Sequence, residues 1–131
     1  KHKRRPLFKN FINLIYNKLK DEGVEGSKEL IVEVISFCIL GGVNPQKINF
    51  KEGKFEVYWE WAKKHRGIIK ESELKNPEET ITKILEAAKQ IGNELEFNIR
   101  REYAPFIRIK YMKHVPDIWW FADVFEKHEE K

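Results

Sequence analysis

Hydrophobic positions recur at helical spacing in the first part of the chain. Pro6, which suits the first turn of a helix, opens this segment, and Asp21-Glu22-Gly23 closes it. Between them, one apolar stripe consists of Phe8, Phe11, Ile12, Ile15 and Leu19, with Leu7 and Leu14 at its edges. This pattern predicts an amphipathic helix that packs one face on a core.

The next apolar segment, residues 29–42, fits two structures. Its hydrophobic positions would form a helical stripe that ends at Gly41-Gly42. Five of the ten residues from Ile31 to Leu40 are β-branched, however, which favours a strand that is buried on both faces. Periodicity does not decide between them, and we favour the strand.

Strict alternation marks residues 54–61 as a second strand. Phe55, Val57, Trp59 and Trp61 alternate with Lys54, Glu56, Tyr58 and Glu60, so one face would meet a core and the other solvent or a partner. A basic loop, Lys63-Lys64-His65-Arg66, follows this strand.

Asn76-Pro77-Glu78-Glu79 predicts the start of a second helix, with Asn76 as the N-cap. The apolar stripe of this helix continues past Gly92, and a glycine inside such a stripe indicates a kink or a close backbone approach. Ala104-Pro105 should end or bend the helix. Residues 106–114 fit a strand or a short helix.

Pro116 opens a last apolar segment that predicts a strand over residues 117–124. The predicted order is therefore helix, strand, strand, kinked helix, strand. It defines an α+β fold with a three-stranded sheet and helices on one face. We expect one domain over residues 7–125, with a basic extension (1–6) before it and a charged tail (126–131) after it.

Positive charge is concentrated in two regions of this 131-residue chain, whose formal net charge is +4. Residues 1–20 carry seven Lys or Arg and no acid, and residues 100–114 carry five against a single acid, Glu102. The remainder is consequently acidic, at about −7. Such clustering is typical of a surface that binds a polyanion.

Signals for catalysis are weak. The four histidines are scattered without metal-ligand spacing, and no glycine-rich phosphate loop is present. The single cysteine, Cys38, lies in an apolar run and is expected in the core. We therefore predict no enzyme activity, no cofactor, no metal and no membrane span. A small nuclease using His65 as a general acid is a minor alternative.

Basic side chains interleaved with aromatic residues are the remaining functional signal. Tyr103 and Tyr111 could stack on bases or pack in the core. The predicted RNA-binding residues are Arg100, Arg101, Arg108, Lys110, Lys113, Lys63, Lys64 and Arg66, with Gly92 as the kink.

Several stretches share the pattern of one known family. They are the opening helix at Phe11–Leu19, the aromatic-rich strand at Lys54–Trp61, the basic segments Ile99-Arg100-Arg101-Glu102 and Ile107-Arg108-Ile109-Lys110, and the closing Val115-Pro116-Asp117-Ile118 followed by Trp120-Phe121 and Asp123. Over about residues 7–125 the chain resembles ribosome-binding factor A, most clearly its organellar branch. The resemblance implies a type II KH-like fold.

The same resemblance implies a non-enzymatic factor that binds small-subunit ribosomal RNA on the immature small ribosomal subunit and acts in its assembly and in rRNA maturation. We expect a monomer in a reducing compartment: the cytoplasm of a bacterium, or the matrix of a mitochondrion or plastid. The alternative is a protein-interaction module, of viral or mobile-element origin, whose aromatic-rich sheet forms the interface.

Overall fold

A computed structural model describes residues 5–40, 44–50 and 75–111 of the chain. Within these ranges the chain forms four α-helices and one 3₁₀ turn, and no residue is in a strand. The helices are α1 (Phe8–Asp21), α2 (Lys28–Leu40), α3 (Pro77–Glu94) and α4 (Ile99–Tyr111), and the 3₁₀ turn at Pro45–Lys47 lies between α2 and α3.

Helix α1 confirms the first predicted element. All five members of its apolar stripe, from Phe8 to Leu19, are buried, while Leu14 at the stripe's edge is exposed. The helix ends where predicted, because Gly23 adopts a left-handed conformation with φ 72°. The amphipathic pattern was thus sufficient to define this element.

The strand predicted for the second apolar segment is wrong, because residues 28–40 form helix α2. Ser27 caps this helix: its Oγ accepts a hydrogen bond from the N–H of Leu30 at 3.1 Å. Apolar residues extend beyond the helical stripe because α2 is buried almost all round, including the polar Glu33 and Ser36. Burial on every side explains both its apolar composition and its misleading resemblance to a buried strand.

Helix α2 is the centre of the described fold. It contacts α1, α3 and α4 as well as the 3₁₀ turn, and α1 also packs on α3. The core is therefore made between helices.

This arrangement contradicts the predicted α+β, KH-like fold with a three-stranded sheet. Its first strand is a helix packed on α1, and its single kinked helix is two helices, α3 and α4. The strands predicted at 54–61 and 117–124 lie outside the described residues. Residues 106–111, which fitted either a strand or a helix, belong to α4, and α4 continues through Pro105.

The predicted start of α3 is confirmed. Asn76 Oδ1 accepts a hydrogen bond from Glu79 N–H at 3.2 Å, and Asn76 Nδ2 donates to Glu79 Oε2 at 3.1 Å. This reciprocal pair satisfies an amide group that the first helical turn leaves without a partner.

The junction between α3 and α4 consists of two linked capping motifs. Phe97 N–H donates to the carbonyl of Gly92 at 3.1 Å, and Glu96, at φ 57°, donates to the carbonyl of Asn93 at 3.3 Å. These bonds form a Schellman motif that ends α3. Asn98 then caps α4 by accepting from Arg101 N–H at 2.9 Å. Gly92 therefore lies in the last turn of α3, and the chain changes direction over residues 95–98.

Candidate nucleic-acid interface

An aromatic cluster joins the start of α1 to α4. The buried ring of Tyr103 meets Phe8 edge-on at 5.1 Å and stacks on Phe11 at 5.3 Å between centroids. Phe97, in the link between α3 and α4, meets both Phe11 and Tyr103 edge-on. Tyr103 is fully buried, so it packs in the core and is not a stacking platform for a base.

Tyr103 also fixes the segment that precedes α1. Its hydroxyl donates to the carbonyl of Pro6 at 2.7 Å, and the guanidinium of Arg5 lies 5.7 Å from the centre of its ring. The two basic regions of the sequence, nearly a hundred residues apart, are therefore neighbours in the fold.

An ion pair joins the two basic regions. Arg5 Nε lies 3.3 Å from Glu102 Oε1, and the two side chains are only 20% and 15% exposed. Glu102 is the one acid between residues 100 and 114, so Arg5 compensates it. Limited exposure makes such a pair more persistent than an ordinary surface pair.

Within the part of the chain that the structure describes, Arg100 and Arg101 in the first turn of α4 have no acidic partner. Neither forms an ion pair with an acidic side chain of the described residues. Arg101 is exposed, and the half-buried Arg100 has an Nε that no described group accepts from. We call Arg5, Arg100 and Arg101 the basic corner.

Of the other predicted RNA-binding residues, the structure describes the position of only two. Arg108 and Lys110 belong to α4, beyond Pro105. Lys113, Lys63, Lys64 and Arg66 lie outside the described residues, as does His65.

A polar groove that the sequence did not indicate lies beside the start of α4. It has a volume of about 360 Å³, and we call it the amide groove; its polar lining includes Asn44, Gln46, Lys47, Asn93 and Asn98. Gln46 bridges the groove: its Nε2 donates to Asn93 Oδ1 at 3.0 Å and to the carbonyl of Phe97 at 2.8 Å, and its Oε1 accepts from Ile99 N–H at 2.7 Å. In the sequence, the only sign of this groove is that several asparagine and glutamine residues lie near helix ends. Tertiary structure brings them together, so the sequence alone does not show that they are neighbours.

Gly92 is required by this groove. A Cβ at this position would lie 2.8 Å from Ile99 Cδ1 and 2.9 Å from Gln46 Nε2. The glycine therefore permits a close approach between the last turn of α3, the 3₁₀ turn and α4.

Other kinds of site have little support within the described residues. They contain no group of three or more His, Cys, Asp or Glu side chains that could hold a metal ion. Cys38 is buried, and desolvation raises the pKa of its thiol, which keeps it protonated and unreactive. None of the helices in this part of the chain combines the length and the apolar character needed to cross a bilayer.

The chain matches no protein-family model, and no curated protein or solved structure is significantly similar to it. We therefore infer function from the geometry of the basic corner and the amide groove.

Proposed function

We propose that this protein is a non-enzymatic RNA-binding protein whose basic corner contacts the phosphate backbone. The observation that carries the proposal is the Arg5–Glu102 pair at 3.3 Å. Because Glu102, the one acid within the second basic region, is paired with Arg5, Arg100 and Arg101 can bind phosphate without first releasing a carboxylate of the described residues.

The guanidinium groups, and not the end of the helix, are the expected phosphate ligands. At the start of α4, Ile99 N–H already donates to Gln46, and Arg101 N–H already donates to Asn98. These two amide groups are therefore occupied by side chains of the protein, so the arginine side chains are the main donors for an anion.

The sequence that leads into the corner adds further cations. Lys1, Lys3 and Arg4, which lie outside the described residues, directly precede Arg5, and Arg5 is fixed beside α4. A polyanion bound at Arg100 and Arg101 would consequently lie near the entry of this basic segment. Binding of this kind is expected to weaken steeply as salt increases.

Small-subunit ribosomal RNA as the particular partner remains a prediction of the sequence resemblance. The described residues do not form the KH-like fold that this family implies, so the fold gives this prediction no support. Co-sedimentation of the protein with immature small ribosomal subunits would test this prediction separately from RNA binding itself.

The proposal is tested by measuring the binding of a labelled RNA hairpin with an unpaired loop by fluorescence anisotropy over a series of salt concentrations. The variant is Arg100→Gln combined with Arg101→Gln. If each arginine contacts one phosphate, the slope of log K against log salt should become shallower by about 1.4 to 1.8. A control with the same loss of charge is Lys28→Gln with Lys75→Gln, since both lysines are exposed and Lys28 lies against Tyr16, near the end of α1 distant from Arg5.

The control should keep a slope close to that of the original protein. Absence of salt-dependent RNA binding, or an unchanged slope in the arginine variant, would contradict the proposal. Salt-insensitive association with a protein would instead support the interaction module, and RNA cleavage that His65→Ala abolishes would support the nuclease.

A further inference from the structure

Two neighbouring side chains of α4 hold the chain just before α1. Glu102 Oε1 lies 3.3 Å from Arg5 Nε, and the Tyr103 hydroxyl donates to the carbonyl of Pro6 at 2.7 Å. The Arg5 guanidinium also lies 5.7 Å from the centre of the Tyr103 ring. Residues 5 and 6 are therefore attached to α4 by an ion pair, a hydrogen bond and a cation–π contact.

The position of Arg5 limits where the cations that precede it can be. Consecutive Cα atoms are about 3.8 Å apart, so the Cα atom of Arg4 must lie within about 4 Å of that of Arg5, and that of Lys3 within about 8 Å. Arg5 is paired with the helical turn that carries Arg100 and Arg101. Its attachment consequently keeps the backbone of Lys3 and Arg4 near that turn.

The surroundings of Glu102 differ from those of an ordinary acid at the start of a helix. Glu102 and Glu29 both lie in the first turn of a helix, α4 and α2 respectively, where the helix dipole favours an acid. Glu29 is exposed and forms no ion pair within the described residues, whereas the Glu102 side chain is only 15% exposed and is paired. The dipole accounts for Glu29, but it does not account for the packing of Glu102 against Arg5.

Resting on the proposed function, we propose that Glu102 is a positioning residue that raises the affinity for RNA, although its charge is the same as that of the RNA. Together with Tyr103 it fixes Arg5, and through Arg5 the basic residues that precede it, beside Arg100 and Arg101. A segment that is attached in advance loses less conformational freedom on binding than an unattached one. Repulsion between Glu102 and phosphate is small by comparison, because Arg5 neutralises the carboxylate and salt screens what remains.

The test measures the affinity of Glu102→Gln for the RNA hairpin by anisotropy at about 0.1 M salt, where exposed charges are screened beyond about 10 Å. The matched control is Glu29→Gln, which adds the same charge and also removes an acid from a first helical turn. Glu102→Gln should bind about two- to five-fold more weakly than the original protein, whereas Glu29→Gln should bind equally well or slightly more tightly. Tyr103→Phe, which leaves the net charge unchanged, should also weaken binding about two- to five-fold.

A charge-depleted background separates positioning from a purely structural effect. In a protein that carries Lys1→Gln, Lys3→Gln and Arg4→Gln, little is left to position, so Glu102→Gln should weaken binding by less than about two-fold. A loss caused by distortion of α4 would instead persist in this background. Thermal unfolding of each variant checks that binding is measured on folded protein.

Binding of Glu102→Gln as tight as that of Glu29→Gln, or an equal loss in the charge-depleted background, would overturn the positioning role while the proposed function stands. The same conclusion would follow if the charge-depleted protein bound RNA as well as the original, since the segment would then make no contact. Failure of the original protein to bind the hairpin in a salt-dependent manner would overturn both. If Glu102→Gln does not fold, Tyr103→Phe in the two backgrounds gives the same comparison.

Discussion

Gly92 provides the sharpest test of the junction between α3 and α4. In an open helix, replacement of glycine by alanine stabilises the folded state by about 1 kcal/mol. Here the new Cβ would lie 2.8 Å from Ile99 Cδ1 and 2.9 Å from Gln46 Nε2, so both side chains must move. The side chain of Gln46 is held by three hydrogen bonds, which makes its displacement costly.

The expected size of the effect follows from these contacts. Loss of the two bonds from Gln46 to backbone groups costs about 1 kcal/mol each, and repacking of Ile99 costs about 1 kcal/mol more. Set against the gain in helix propensity, Gly92→Ala should lower the free energy of unfolding by about 2 kcal/mol. Urea unfolding followed by far-UV circular dichroism measures this difference.

A double-mutant cycle isolates the cause. In a Gln46→Ala background the hydrogen bonds are already absent, so Gly92→Ala should change stability by only about 0 to 1 kcal/mol. Gln90→Ala, at an exposed position of the same helix, is the control and should be neutral or slightly stabilising. A Gly92→Ala protein as stable as the original would refute the close approach, and an equal loss in both backgrounds would refute the role of Gln46.

Two further changes probe the core. Tyr103→Phe removes the hydroxyl that donates to Pro6 and should lower the free energy of unfolding by about 1 kcal/mol. It should also increase hydrogen exchange in the first residues of α1, and unchanged exchange there would contradict the anchoring role. Because burial raises the pKa of the Cys38 thiol, the unfolded chain releases that proton first as pH rises, so folding stability should decline by about 1.4 kcal/mol per pH unit above the ordinary thiol pKa. Urea unfolding of the original and of Cys38→Ala at about pH 8 and 10 checks this, since only the original should show the decline, and parallel behaviour would contradict it.

Sequence patterns that act over one or two helical turns correctly predicted the helices in which they occur. An amphipathic stripe identified α1, and Asn76 with Glu79 identified the start of α3, because both features act within one or two turns. For helix α2 the helical stripe was opposed by the β-branched residues, which imitate a strand because the helix is buried on nearly every side. A further local signal that sequence reasoning missed was Ser27 as a cap.

The candidate site was predictable only in part, for a different reason. Composition identified Arg100 and Arg101, but it could not show that Arg5 would neutralise Glu102 beside them. That pairing depends on Tyr103 holding the segment before α1, a contact between residues 97 positions apart. The amide groove likewise joins two segments that are far apart in the sequence, 44–47 and 92–98, so no local pattern predicts it.

The position of the arginines gives an independent argument for an anionic partner. Cations in the first turn of a helix are unfavourable, by about 0.3 to 1 kcal/mol each, because the helix dipole is positive there. Arg100 and Arg101 both occupy the first turn of α4, and the acid of that turn, Glu102, is paired with Arg5. Among the described residues, the positive potential at this end of α4 is thus not compensated by an acid. An approaching phosphate would relieve that potential, so the feature that weakens the isolated helix would strengthen the proposed complex with RNA.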